Sequence, residues 1–173
     1  MPTYNQGRFH PRNPEKYQGN ANNIIYRSSW ELHFLQWCDR TDAVIQYASE
    51  EFSIPYVSPK DNRIHRYYPD GLVTMKRPDG SIQRYIIEIK PLSQCNPPKK
   101  REKVTKSYIY ECTQYAVNQA KWKAAKDFAL DNGVEFKILT ENELGIKQYG
   151  RGTKSRTRGL SNRSKKPNGR SRR

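Results

Sequence analysis

Two strand-like runs meet at a tight turn in the middle of this chain, and that junction constrains the fold more than any other segment. Arg77-Pro78-Asp79-Gly80 has turn chemistry, because proline presets φ and glycine tolerates a positive φ. Residues 67–75 before it and 82–89 after it read as strands, and Pro91 ends the second. The two runs form a hairpin. Side chains alternate faces along a strand, so Glu88 and Lys90 project together while Ile87 and Ile89 point to the other side. Asp70 lies as far before the turn centre as Glu88 lies after it, so the hairpin brings these two carboxylates level, within a residue or two.

The rest of the chain supplies a frame for that hairpin. Helical spacing of Trp30, Phe34, Trp37 and Cys38 predicts a first helix over 28–40, with Ser28 or Ser29 as its N-cap. A short strand is expected over 51–57. The Pro97-Pro98 stretch predicts a loop, and a long helix follows over 102–132 with Val104, Tyr108, Cys112, Tyr115, Gln119 and Trp122 as its inward face and Gly133 just past its end. A last strand over 134–139 and a short helix over 141–144, capped by Thr140, complete the order α-β-β-β-α-β-α. The expected class is α/β: a central mixed sheet flanked by helices. Residues 1–23 read as an extended polar arm, 24–147 as the folded domain, and 148–173 as a basic tail, disordered when free.

The paired carboxylates carry the chemistry. Asp70 and Glu88 side by side in an apolar strand run repel each other, and a hard divalent cation such as Mg²⁺ relieves that repulsion. Lys90 adds a positive charge beside them, able to lower the pKa of an attacking water or to stabilise charge on a phosphate. Together they are equipment for metal-assisted hydrolysis of a phosphodiester. The bland alternative is a surface Glu–Lys pair on an edge strand, worth about 0–1 kcal/mol. Glu31 is a second pointer: Leu35 and Cys38 place it on or beside the apolar face of the first helix. It is either a further acid of the site or a first-turn glutamate favoured by the helix dipole. Gln114, Asn118 and Lys121 form one polar stripe on the long helix, read either as a solvated face or as donors aimed at DNA phosphate. Lys99, Lys100, Arg101, Lys103 and Lys106 cluster at that helix's start, where the dipole disfavours cations and a phosphate would reverse the penalty. DNA contact is the preferred reading.

Charge points the same way. The formal net charge is +15, and ten of those charges fall in residues 151–173, which hold no acid. Such a balance argues for a polyanionic partner, with the tail adding sequence-independent, salt-sensitive affinity. Hydrophobic residues make up 34% and mean hydropathy is −1.06, so the core is modest. No apolar run approaches the roughly 20 residues of a membrane span, and the polar N-terminus lacks a signal-peptide pattern. The chain is expected to be soluble and intracellular. Cys38, Cys95 and Cys112 form no CxxC pair and read as plain thiols; His10, His33 and His65 show no ligand spacing.

Ser28-Ser29-Trp30-Glu31, Tyr67-Tyr68-Pro69-Asp70-Gly71 and Glu88-Ile89-Lys90 together resemble the PD-(D/E)xK nuclease superfamily over about residues 20–145. Within it the set is most like the head completion nucleases of T4-like tailed phages, and it is also similar to the endonuclease subunit of Tn7-type transposases. The resemblance implies a restriction-endonuclease-like fold. It implies Mg²⁺, with Mn²⁺ as substitute, held by Asp70, Glu88, the Ile89 backbone carbonyl and Glu31. Lys90 would orient the nucleophile, and Gln114 would be the helix-borne site residue. It further implies double-stranded DNA as substrate, phage head, portal or neck proteins as partners, and action on packaged DNA or its end before the tail joins, in the host cytoplasm or the virion. A catalytically silent structural protein on the same fold is the competing expectation. The complete Asp70/Glu88/Lys90 set argues against it, and a DNA-condensing protein accounts for the tail but not the domain.

Overall fold

The computed structural model describes residues 6–49 and 52–146. In chain order the elements are β1 (Gly7–Phe9), a 3-10 turn (Pro14–Lys16), β2 (Ile24–Tyr26), α1 (Ser29–Arg40), β3 (Val44–Ala48), β4 (Ile54–Val57), β5 (Ile64–Tyr67), β6 (Gly71–Lys76), β7 (Ile82–Ile89), α2 (Leu92–Cys95), α3 (Lys106–Asp131) and β8 (Glu135–Leu139). The basic tail, the first five residues of the arm and the start of the strand expected from residue 51 lie outside the described residues.

The central sheet runs β3-β6-β7-β8. Its first two pairings are antiparallel and β7–β8 is parallel, so the sheet is mixed, as the sequence predicts. The parallel pair follows from connectivity: the chain leaves β7, crosses one face as α3 and returns as β8 in the same direction. β7 is the centre of the domain. Ile87 and Ile89 face a core with Phe34, Leu35 and Cys38 of α1, whereas Ile86 faces a second core with Ala125 and Ala129 of α3 and Ile54, Tyr56 and Tyr67 of the β4–β5 hairpin. Each fully buried Ile, Leu or Phe contributes roughly 1.5–3 kcal/mol. A sheet between α1 and α3 is the restriction-endonuclease-like α/β arrangement.

Ser28 caps α1, its Oγ accepting the Glu31 N–H at 3.1 Å, a contact worth about 1 kcal/mol. The buried stripe is Phe34, Leu35 and Cys38; Trp37, expected within it, is exposed instead. Residues 6–23 are not a free arm. β1 pairs with β2, and the buried Asp39 carboxylate accepts the N–H groups of Arg12 (2.9 Å) and Asn13 (3.0 Å). Lys16 Nζ donates to the Asp39 and Thr41 carbonyls at the end of α1, where a cation suits the dipole.

Three further expectations change. The strand over 67–75 divides at Tyr68-Pro69-Asp70: β5 pairs with β4, and β6 joins the main sheet. Pro69, lacking an N–H, cannot continue a ladder. In α3 the inward face is Asn118, Trp122, Ala125 and Ala129; of the face expected from Val104 to Trp122, only Trp122 is buried. No residue of the helix before Asn118 is buried. The short helix after Thr140 is one turn, with Leu144 N–H on the Thr140 carbonyl and Thr140 bonded to Glu143. Among the described residues no helix is long and apolar enough to cross a membrane, and the three cysteines are free thiols.

Candidate active site

The break at Pro69 makes the site. One step beyond the last ladder pair, Gly71 with Ile87, Asp70 falls level with Glu88, as the turn symmetry predicts. The residue opposite Ile89 in that register is Pro69, whose missing N–H leaves the Ile89 carbonyl without a ladder donor. The Ile89 N–H donates to a side chain, Asp70 Oδ2, at 2.6 Å. The next amide, Lys90 N–H, donates to the Leu139 carbonyl of β8 at 3.0 Å. Across a trans peptide the Ile89 carbonyl points opposite to that N–H, hence toward the Asp70 side. Asp70 and the Ile89 carbonyl are thereby turned to one place by the strand itself.

Glu88 is 3% exposed. Its Oε2 accepts from the Tyr67 hydroxyl at 2.5 Å, and its Oε1 lies 3.1 Å from Lys90 Nζ. Burial, then the Glu88 charge, push the Asp70 carboxyl up to about 7; Lys90 and the Ile89 N–H act in the opposite direction. Burial works against the charge on Lys90, but the Glu88 and Asp70 carboxylates outweigh it and hold the ammonium above its ordinary value. Burial, then Glu88, also raise the Tyr67 hydroxyl, so it remains a donor. The site holds two closely spaced carboxylates and one lysine in surroundings that penalise charge.

Tyr67 is the residue whose role sequence reasoning misses. It stands in the Tyr-Tyr-Pro-Asp motif, but its bond to Glu88 depends on β5 leaving the main sheet. Lys121 belongs to the same group: its Nζ lies over the rings of Tyr56 (5.8 Å) and Tyr67 (5.6 Å). Burial lowers its ammonium from the ordinary lysine value, and Glu88 partly offsets this. With Gln114 and Asn118 it lines a cleft of about 570 Å³ that begins at Lys90, so the polar stripe of α3 is gathered at the site. Glu31 comes near without joining the carboxylate pair. Its oxygens accept from the Arg27 N–H and the Ser28 hydroxyl, a helix-capping arrangement, while its charge reaches Asp70 and Lys90. Lys99, Lys100, Lys103 and Lys106 are exposed. The Arg101 guanidinium pairs with Glu111 (2.8 Å) at the surface and lies over the Tyr108 ring.

Among the described residues no three His, Cys, Asp or Glu side chains form a metal-holding group. The available donors are two carboxylates and one carbonyl. That set fits Mg²⁺, which is held by one or two carboxylates and otherwise by water and phosphate, better than it fits a cation demanding a full protein cage. The raised Asp70 carboxyl marks the uncompensated charge that a divalent cation would neutralise.

The chain is 39% identical over 142 residues to the head completion nuclease of Enterobacteria phage T4, covering 80% of this chain and 92% of that protein. A family model described as TnsA-like endonuclease N terminal matches residues 41–141, a span that holds Asp70, Glu88, Lys90 and the stripe of α3 but not Glu31. The site built at the β6–β7 junction thus sits inside the matched segment, and the chain belongs to the TnsA-like endonuclease N-terminal family.

Proposed function

We propose that this protein is a Mg²⁺-dependent DNA endonuclease acting on packaged phage DNA or its end during head completion, before tail attachment. The observation that carries the reading is the meeting of Asp70, Glu88 and Lys90 at one strand break, at the mouth of a cleft lined by polar side chains of α3. The T4 relative's name supports the head-completion setting, and with it head, portal or neck proteins as partners.

Asp70, Glu88 and the Ile89 carbonyl would hold the cation, with Mn²⁺ as substitute. When bound, it supplies Lewis-acid polarisation of the phosphate and a water of lowered pKa. Lys90 Nζ, anchored on Glu88 Oε1, presents its remaining protons toward the attacking water or a non-bridging phosphate oxygen. Tyr67 fixes the rotamer of Glu88 from the other oxygen. Lys121 places a second cation beside the carboxylates, where it offsets charge gathering on the phosphate. Lys99, Lys100, Lys103 and Lys106 draw the duplex toward the cleft.

The test is nicking of supercoiled plasmid with and without Mg²⁺, comparing the unaltered protein with Asp70→Ala and Lys90→Ala. Metal-dependent nicking lost in both variants is the expected result. DNA binding without cleavage by the unaltered protein would instead favour a silent structural protein on a nuclease fold.

A further inference from the structure

The cleft that starts at Lys90 is walled on one side by α2 and the chain after it, and on the other by the first half of α3. At about 570 Å³ it lies within the roughly 300–1,000 Å³ range of pockets that enclose a small ligand. Its lining is not that of a groove tracking a phosphate backbone. Gln94, Asn96, Gln114 and Asn118 present side-chain amides, and Tyr110 and Tyr115 present rings. Amides match the mixed donor and acceptor edges of a nucleobase, and rings stack on its faces. Lys90 and Lys121 supply the cations at the end beside the carboxylates.

Asn118 is the second, independent observation. It is only 9% exposed and lines the cleft, yet its side chain makes no hydrogen bond among the described residues. Its amide atoms are not sealed from solvent, since among the described residues the buried side-chain polar atom without a partner is Trp122 Nε1, so they stay open to a ligand entering the cleft. Glu111, the one acid among the described residues of the lining, is neutralised by Arg101, so it does not repel an anionic ligand.

We propose that this cleft binds the base of an unpaired nucleotide next to the scissile phosphate, so that the preferred substrate is DNA with a single-stranded end or flap. A base within a duplex has its hydrogen-bonding edge and both faces occupied, and it enters a concave cleft only by leaving the stack. An already unpaired nucleotide enters without that cost. The proposal rests on Asp70, Glu88 and Lys90 being the phosphodiester-cleaving group.

The experiment uses the full chain in chelator-containing buffer and two labelled probes with equal numbers of phosphates, a blunt duplex and a duplex with a short single-stranded overhang carrying 2-aminopurine. The overhang probe is expected to bind about tenfold more tightly, with its 2-aminopurine fluorescence quenched by stacking. Asn118→Ala should remove most of that preference. Tyr110→Ala, at a 65% exposed position that does not threaten the fold, should reduce both the preference and the quenching. Equal affinity for the two probes, with unchanged fluorescence, overturns the proposal. Plasmid nicking separates it from the cleavage reading: nicking with no overhang preference sinks the cleft proposal alone, whereas a retained preference with no nicking sinks the cleavage reading and leaves the cleft.

Discussion

Asp70 Oδ2 accepts the backbone N–H of Ile89 at 2.6 Å, just beyond the last ladder pair of β6 and β7. The bond ties the first carboxylate to the strand that carries the second. It does not bring the Asp70 carboxyl down to ordinary values, because burial and the neighbouring Glu88 charge outweigh it.

Stability should therefore depend on pH with a defined sign. Asp70 keeps its proton up to about 7 in the folded state, against about 3.9 in an unfolded chain. Between these values the folded state binds more protons, so stability falls as pH rises through the window. Without divalent metal, the melting temperature should drop from about pH 4 to about pH 7, Asp70→Asn should flatten that slope, and Mg²⁺ should restore stability mainly at the alkaline end. The same slope in Asp70→Asn would show that another group titrates.

Glu88 has both oxygens engaged, one by Tyr67 and one by Lys90. Glu88→Gln should abolish cleavage and leave the far-ultraviolet circular dichroism unchanged. A drop of several kcal/mol in urea unfolding would mark the pair as structural instead.

Tyr67→Phe removes only the hydroxyl that positions Glu88. The Mg²⁺ concentration for half-maximal nicking should rise by roughly 10–100-fold, the usual effect of losing a group that orients a metal ligand. Metal affinity read directly by calorimetry should fall in parallel; an unchanged value would remove Tyr67 from the site.

Gly71, next to Asp70, is required for packing. A methyl group there would lie 2.7 Å from Cε1 of the buried Phe34 ring and 3.4 Å from the Ala48 carbonyl oxygen. Gly71→Ala should cost about 1–3 kcal/mol in urea unfolding by forcing ring and strand apart. Full stability in the variant would mean that Phe34 has room to move.

Removing residues 151–173 takes away ten cations. DNA affinity should fall and its salt dependence flatten, by about 0.9 in log–log slope for each phosphate that the tail no longer neutralises, while nicking at saturating DNA persists. Unchanged affinity at low salt would exclude the tail from DNA binding.

Much of the site was legible because it is local. The Pro78-Asp79-Gly80 turn and the two-residue alternation of a strand are short-range properties, and they alone place Asp70 level with Glu88 and put Lys90 on the same side. The cap at Ser28 was legible for the same reason. The edge strand β3 was not: a bulge between Val44 and Gln46 disrupts its alternation. Nor was the anchoring of residues 6–23, which depends on Asp39 reaching Arg12 and Asn13 across 27 and 26 positions of sequence.

The hairpin, its register and the identity of the two carboxylates and the lysine were written in the order of residues, since they follow from backbone geometry within some twenty positions. What surrounds them was settled by packing. Which face of α3 is buried depends on where the helix meets the sheet, and this turned Asn118 into the cleft and Lys121 toward the carboxylates while leaving Tyr110 exposed. The Tyr67–Glu88 bond likewise exists because the chain leaves one sheet and enters another at Pro69. Both outcomes have one cause: an amphipathic period defines a face, but what that face meets is set by the packing of segments far apart in the chain.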